Sequence, residues 1–257
     1  MAGFLNRTFR AFDRAAFAGM HALHNAASGF FDNLCKFVSF LADGGWCYIV
    51  TALILLLFCR TRKVGLAMGI ALVIGALITN ILLKNTVRRP RPYTQSDEFF
   101  SWWTAAGKNV EDSFSFPSGH STASFAAMVA FFFIGNKKYS WTGLLFAALV
   151  AFSRVYLIVH YTTDVLAGLI IGSVAGVCGG LLCKLIYNKA GGKFKQLLYS
   201  VDAISVVKAI ANKHKGEQAA TTENAESIET VESVETTSEN AAQESTAANE
   251  ESNESTL

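Results

Sequence analysis

Three short stretches of this 257-residue chain carry residue types and spacings suited to chemistry on a phosphate group. Lys84 is followed seven residues later by Arg91 within Arg88-Arg89-Pro90-Arg91-Pro92, Pro117-Ser118-Gly119-His120 opens an apolar stretch, and Ser153-Arg154 precedes His160 and Asp164. Arginine offers a planar fork to phosphate oxygens and lysine a point charge. Arg154 lies at the end of an apolar run, where a charge is costly and marks a functional site by default. Ser118 can cap the helix that follows, Gly119 lets backbone approach a ligand, and the free N–H groups at a helix start form an anion cradle. His160 and Asp164 stand four apart, so the carboxylate can accept one imidazole N–H and leave the other nitrogen free to attack. The set suits phosphoryl transfer with His160 as nucleophile, Asp164 as its partner and His120 as the acid that protonates the leaving oxygen. Three cations already face the phosphate, so no metal and no cofactor is expected. The chain lacks an HExxH, and Asp97, Glu98, Glu111 and Asp112 form two separated pairs in a loop.

The elements that must position these residues are apolar helices. The chain is 51% hydrophobic and 16% charged, against about 25% charged in an ordinary soluble domain, which argues against a soluble enzyme. Apolar runs at 46–59, 64–83, 122–135, 141–159 and 165–187 read as membrane spans. The second, fourth and fifth reach the roughly 20 residues a lone span needs, so the first and third must be extended or packed inside the bundle. With five spans, all three chemical stretches fall at one end. The connectors at 60–63 and 136–140 and the region after Lys184 are basic and fall at the other end, which the positive-inside rule makes cytoplasmic. The expected fold is therefore an all-α polytopic membrane bundle in the plasma membrane, with the site on the extracytoplasmic face.

Four regions follow. Residues 1–25 form a basic amphipathic surface helix, 26–191 the membrane domain, 192–215 a second basic amphipathic helix, and 216–257 an acidic, disordered, cytoplasmic tail. The tail holds 11 of the 20 acidic residues and no Lys or Arg, leaving residues 1–215 with a surplus of 13 positive charges. Within the membrane domain, 30–41 reads as an interfacial or re-entrant helix that stops at Asp43-Gly44-Gly45. The five cysteines show no metal spacing and read as buried free thiols. No cleaved signal peptide is expected.

Taken singly, each feature has a plainer explanation. Lys84 could be a snorkelling anchor, Arg88 and Arg89 a headgroup-binding loop, and Pro-Ser-Gly a turn and cap. His21, His24 and His214 read as surface residues without acidic partners, and the aromatic residues from Phe99 to Phe116 as an interfacial belt. Their joint occurrence is far more specific. Lys84-x6-Arg91-Pro92, Pro117-Ser118-Gly119-His120 and Ser153-Arg154-x5-His160-x3-Asp164 resemble the three-part signature of the type-2 phosphatidic acid phosphatase superfamily, which also includes vanadium haloperoxidases. The resemblance covers about residues 26–187, and Asp43-Gly44-Gly45-Trp46 is similar to the same region of small bacterial members. It implies a helical bundle and metal-independent hydrolysis of a phosphate ester or diphosphate through a phosphohistidine. Lys84, Arg91, Arg154, Ser118 and Gly119 would bind phosphate, with His160, His120 and Asp164 catalytic. Many members have six spans where this chain reads as five. The substrate expected is a lipid phosphate, with undecaprenyl diphosphate favoured over phosphatidic acid or phosphatidylglycerol phosphate by likeness to small bacterial members. The alternatives are a lipid phosphotransferase and a non-enzymatic lipid-phosphate carrier. A Ser118 hydrolase is disfavoured because the chain has no G-x-S-x-G elbow there.

Overall fold

The computed structural model describes residues 1–189 together with 191 and 212, and the described residues form helices and no strands. The expected basic helix at 192–215 and acidic tail at 216–257 lie outside them. Helix α1 (Ala2–Thr8) leads into α2 (Arg10–Leu41), whose backbone breaks at Ala27 (φ −155°, ψ 48°). After the turn Asp43–Gly45 come α3 (Trp46–Leu57) and α4 (Arg62–Ala76). The latter continues as a π-helical stretch, Leu77–Leu83, into the short α5 (Lys84–Val87). A loop carrying α6 (Asp97–Ala105) then leads to α7 (Gly119–Ile134), α8 (Lys137–Tyr156) and α9 (Thr162–Lys189). Three segments are long and apolar enough to cross a membrane, Arg10–Leu57, Arg62–Thr94 and Thr162–Lys189, while Gly119–Ile134 is apolar but shorter.

Small residues set the packing. On α9, Gly168, Gly172 and Gly176 recur every fourth position and share one face. A Cβ at these sites would lie 2.7 Å from the Ser118 carbonyl oxygen, 2.5 Å from that of Thr122 and 2.7 Å from the Val129 side chain, so α7 and α9 meet backbone to backbone. Gly179 meets α4 in the same way, 2.7 Å from the Ala67 oxygen. This is how helices pack where lipid supplies no hydrophobic drive between them. The outward faces carry exposed Leu53, Ile54, Val73, Ile81, Ile170, Val174 and Leu181, an apolar surface suited to acyl chains. Asp164 continues the glycine stripe by one turn, which puts the packing and the chemistry on one face of one helix.

The first half of α2 is tied into the protein, since Phe17 and Asp13 are buried and Phe17 packs edge-on against Phe99. Several residue-level expectations change. Arg89, expected in a headgroup-binding loop, has no exposed surface. His24 has an acidic partner, with Nδ1 3.0 Å from Asp32 Oδ1, because the break at Ala27 folds the two halves of α2 toward each other. The loop aromatics divide, since Trp103 is buried and stacked on Tyr93 at 4.4 Å whereas Phe100 and Phe114 are exposed. The five cysteines are all free thiols, with Cys35 and Cys183 buried and the other three half-buried.

Candidate active site

The residues Arg88 to Pro92 place two arginines inward. Proline at 90 and 92 disfavours helix for the residue before each, and Arg91 is extended (φ −71°, ψ 149°). Side chains two apart in extended chain point the same way, so Arg89 and Arg91 are both buried. Arg91 donates from Nε to the Ser113 carbonyl at 2.8 Å and from Nη1 to the Val159 carbonyl at 2.8 Å, and its Nη1 lies 3.0 Å from His160 Nε2. Lys84, carried inward by the π-helical end of α4, donates to Ser113 Oγ at 2.8 Å. Arg154, near the C-terminus of α8, is fully buried and contacts Ser39 through Nη1 and Glu111 through Nη2.

His160 follows a left-handed residue, Ile158 (φ 55°), that turns the chain out of α8. Its Nδ1 lies 2.7 Å from the Ser115 carbonyl oxygen. A carbonyl only accepts, so in the neutral ring the proton sits on Nδ1 and the lone pair on Nε2 faces Arg91. Burial holds the imidazole pKa well below its usual value of 6.5, and Arg91, Arg154 and Lys84 push the same way. The direct carboxylate–imidazole hydrogen bond expected from the i,i+4 spacing is not formed, because Asp164 Oδ2 is 3.8 Å from Nδ1. That oxygen instead accepts from the Ser115 hydroxyl at 2.5 Å and the Tyr161 N–H at 3.1 Å, while Oδ1 accepts from Arg89 Nη1 at 2.6 Å. Asp164 therefore reaches His160 through Ser115, the residue that also orients the ring.

Ser118 caps α7 through Oγ, and its N–H donates to the Asp164 carbonyl at 3.0 Å. That backbone group is thus engaged rather than offered to a ligand. Of the first N–H groups of α7, that of Ser121 donates to Ser118 Oγ and that of Thr122 to the Ser118 carbonyl, which leaves those of Gly119 and His120 at the open helix end. Gly119 faces Lys84, since a Cβ built there would lie 3.8 Å from Lys84 Nζ, an ordinary contact. His120 Nε2 sits 3.6 Å from Asp43 Oδ1. A cavity of about 240 Å³ is lined by both histidines, Lys84, Gly119 and Glu111 and extends to the apolar Ile49, Leu72 and Ala76. It offers one end with Lys84 and two imidazoles and another that is apolar.

All eight residues singled out from the sequence thus lie at one end of the bundle. The residues not singled out for this site are Asp13, Ser39, Arg89, Glu111, Ser113, Ser115 and Thr163. Asp13 accepts from Arg89 Nη2, Thr163 Oγ and the Thr163 N–H, each at 3.0 Å, so Arg89 is clamped between Asp13 and Asp164. An available signal was one acid, Asp13, among Arg7, Arg10 and Arg14.

A membrane helical bundle with a cation cluster around a tautomer-fixed histidine defines a class of anion-handling membrane proteins, and the comparisons narrow it. The PAP2 superfamily model matches residues 63–190. An undecaprenyl-diphosphatase of Sulfolobus acidocaldarius is 36% identical over 52% of this chain and 63% of its own length. Undecaprenyl-diphosphatase BcrC of Bacillus subtilis is 30% identical over 62% of this chain and 78% of its own. A lipid A 4'-phosphatase of Porphyromonas gingivalis is 27% identical over 60% of this chain and 64% of its own. The chain thus spans just under two thirds of the length of the first and third. It belongs to the PAP2 superfamily and is an integral membrane protein.

Proposed function

We propose that this protein hydrolyses the terminal phosphate of a membrane lipid phosphate or diphosphate through a phosphohistidine on His160. The observation that carries the reading is the Nδ1–H bond from His160 to the Ser115 carbonyl, which leaves Nε2 as a lone pair directed at Arg91 beside the cavity. Lys84, Arg91, Arg154 and the N–H groups of Gly119 and His120 bind the phosphate oxygens and stabilise charge developing on them. Nε2 attacks phosphorus as the bond to the leaving oxygen breaks, and His120 supplies the proton to that oxygen. Water then attacks phosphorus, its proton passing to His120, and the N–P bond breaks with its electron pair returning to Nε2, which yields inorganic phosphate and restores both histidines.

An isoprenoid diphosphate is the favoured substrate, supported by two relatives named undecaprenyl-diphosphatase. The apolar end of the cavity accommodates the start of a lipid tail. Phosphate release by the full-length protein in detergent, compared for isoprenoid diphosphate, phosphatidic acid and phosphatidylglycerol phosphate with EDTA present, tests the reading. Release without an alcohol acceptor is expected. An absolute need for an acceptor would make it a phosphotransferase, no release with intact binding would make it a carrier, and loss in EDTA restored by Mg²⁺ would remove the cation-cluster assignment.

The proposed placement is the plasma membrane with the site extracytoplasmic and residues 216–257 an acidic cytoplasmic tail separate from the 26–191 catalytic domain. Cysteine at the exposed Ser101 should then react with an impermeant reagent on intact cells, and cysteine at the exposed Tyr139 should react only after permeabilisation. Deleting the tail should leave turnover intact.

A further inference from the structure

Glu111 lies outside the three stretches that carry the chemistry, yet its carboxylate sits between two of the three site cations. Oε2 is 3.5 Å from Arg91 Nη2, and Oε1 contacts Arg154 Nη2. The side chain is 19% exposed and lines the cavity shared by His120 and His160. Guanidinium groups bind a carboxylate through the same forked donors they use for phosphate. The fit is partial, however. Among the described residues the buried Arg154 Nε has no hydrogen-bond partner, and Lys84 turns to Ser113 instead of to this carboxylate. A terminal phosphate, with three oxygens rather than two, has acceptors for all of these donors.

We propose that Glu111 is an internal occupant of the phosphate position: it pairs Arg91 and Arg154 while the site is empty, yields to the substrate phosphate, and returns to expel the inorganic phosphate left by hydrolysis. This rests on the reading of Lys84, Arg91 and Arg154 as the phosphate site. Without an occupant, the two buried arginines would stand uncompensated beside the half-buried Lys84 between turnovers, a costly arrangement. They would also hold a product dianion tightly, and slow product release limits many enzymes. A tethered carboxylate competes at the millimolar or higher effective concentration of a short flexible link. It raises the dissociation constant of every anion by one common factor, the inverse of the fraction of time the site is free of Glu111. Discrimination between ligands is therefore untouched. What changes is how easily phosphate leaves.

The test is the competitive inhibition constant of inorganic phosphate, with KM and kcat, for the full-length protein in detergent, comparing wild type with Glu111→Gln and Glu111→Asp. The exposed neighbour Asp112→Asn loses the same charge from the same loop and serves as control. Glu111→Gln should lower the phosphate inhibition constant by about tenfold or more, as expected if the wild-type site is free about a tenth of the time or less. KM should fall with it, and kcat should fall as release becomes limiting. Glu111→Asp keeps the charge on an arm too short to bridge both arginines, so it should move the constant the same way by less. Asp112→Asn should stay within about twofold. An unchanged constant in both Glu111 variants overturns the proposal, as does an equal fall in Asp112→Asn, which would reduce the effect to distant charge. A raised constant also overturns it and makes Glu111 a support for the arginines. Failure of the underlying site assignment looks different: phosphate would not compete in wild type, and Arg154→Ala would keep its turnover.

Discussion

Replacing Asp13 with Asn removes one of the two carboxylates that clamp Arg89, a side chain with no exposed surface. Asp13 accepts three hydrogen bonds, each at 3.0 Å, and all three partners are donors. Asparagine retains one acceptor oxygen but points an NH2 group at donors. Breaking a buried pair from one side costs about 3–5 kcal/mol. Arg89 keeps Asp164 at 2.6 Å, Asn6 at 2.7 Å and the face of Tyr161 at 3.6 Å, so the lower end applies, about 3 kcal/mol. For a chain of this size that lowers Tm by about 6–12 °C. A second effect reaches the chemistry. With Asp13 neutral, Asp164 alone balances Arg89 and is drawn away from Ser115 and Tyr161, the groups through which it orients His160. Turnover per active site should fall about 10- to 100-fold, the range for a partner one shell behind a reacting group, while phosphate inhibition is unchanged because Lys84, Arg91 and Arg154 are untouched. Thermal unfolding in detergent gives the first number. Burst amplitude, which counts working sites, separates a slower site from fewer sites and gives the second. A variant within about 2 °C of wild type and with full turnover would refute the buried clamp.

Alkali-quenched, base-stable and acid-labile labelling from a phosphate-labelled lipid should appear in wild type and vanish in His160→Ala; label that persists assigns the nucleophile elsewhere, with Ser118 next in line. In His120→Ala, labelling should slow most for a poor alkoxide leaving group and least for an activated aryl phosphate, whose departure needs little proton donation. Attack needs neutral His160, whose pKa is held well below 6.5 by burial and then by Arg91, Arg154 and Lys84, so protonation removes kcat/KM only as pH falls below the ordinary imidazole range. Arg91→Gln should shift that acid limb to higher pH, and a pH–rate profile with no shift would refute the electrostatic account. Gly172→Ala puts a Cβ 2.5 Å from the Thr122 oxygen and should cost about 1–3 kcal/mol or more, whereas Gly69→Ala, with nothing within 4 Å, should be neutral or stabilising in an unfolding assay.

The helical bundle and the end of it that holds the site were legible because both follow from apolar run length and alternation, which are local or counted along the chain. The contacts that hold the site were not. Asp13 pairs with Arg89 across 76 residues and with Thr163 across 150, and an ion pair at that separation leaves no spacing to read. Arg89 and Arg91 lie two residues apart among the same prolines, and the motif spacing singles out Arg91 alone; that Arg89 is buried as well follows from Asp13 and Asp164, which flank it from distant parts of the chain. His160 and Asp164 show the opposite failure. Their spacing correctly places them side by side, yet proximity does not fix who accepts the proton, because Ser115 arrives from a loop 45 residues earlier and takes both hydrogen bonds. The Ala27 break in α2 was invisible for another reason: alanine is a good helix former, and that break answers to packing on either side of it.

The glycine stripe connects these levels. Gly168, Gly172 and Gly176 let α9 sit against the backbone of α7, and the same face ends one turn higher at Asp164, whose carbonyl accepts the Ser118 N–H at 3.0 Å. That bond fixes the start of α7 against the start of α9, and with it Gly119 and His120 relative to His160. A side chain larger than hydrogen anywhere along the stripe pries apart α7, which carries the proposed acid His120, and α9, which begins two residues after the proposed nucleophile His160. Because proton donation and in-line attack depend on sub-ångström placement, the small residues buried farthest from the phosphate should be as intolerant of substitution as the cations that touch it.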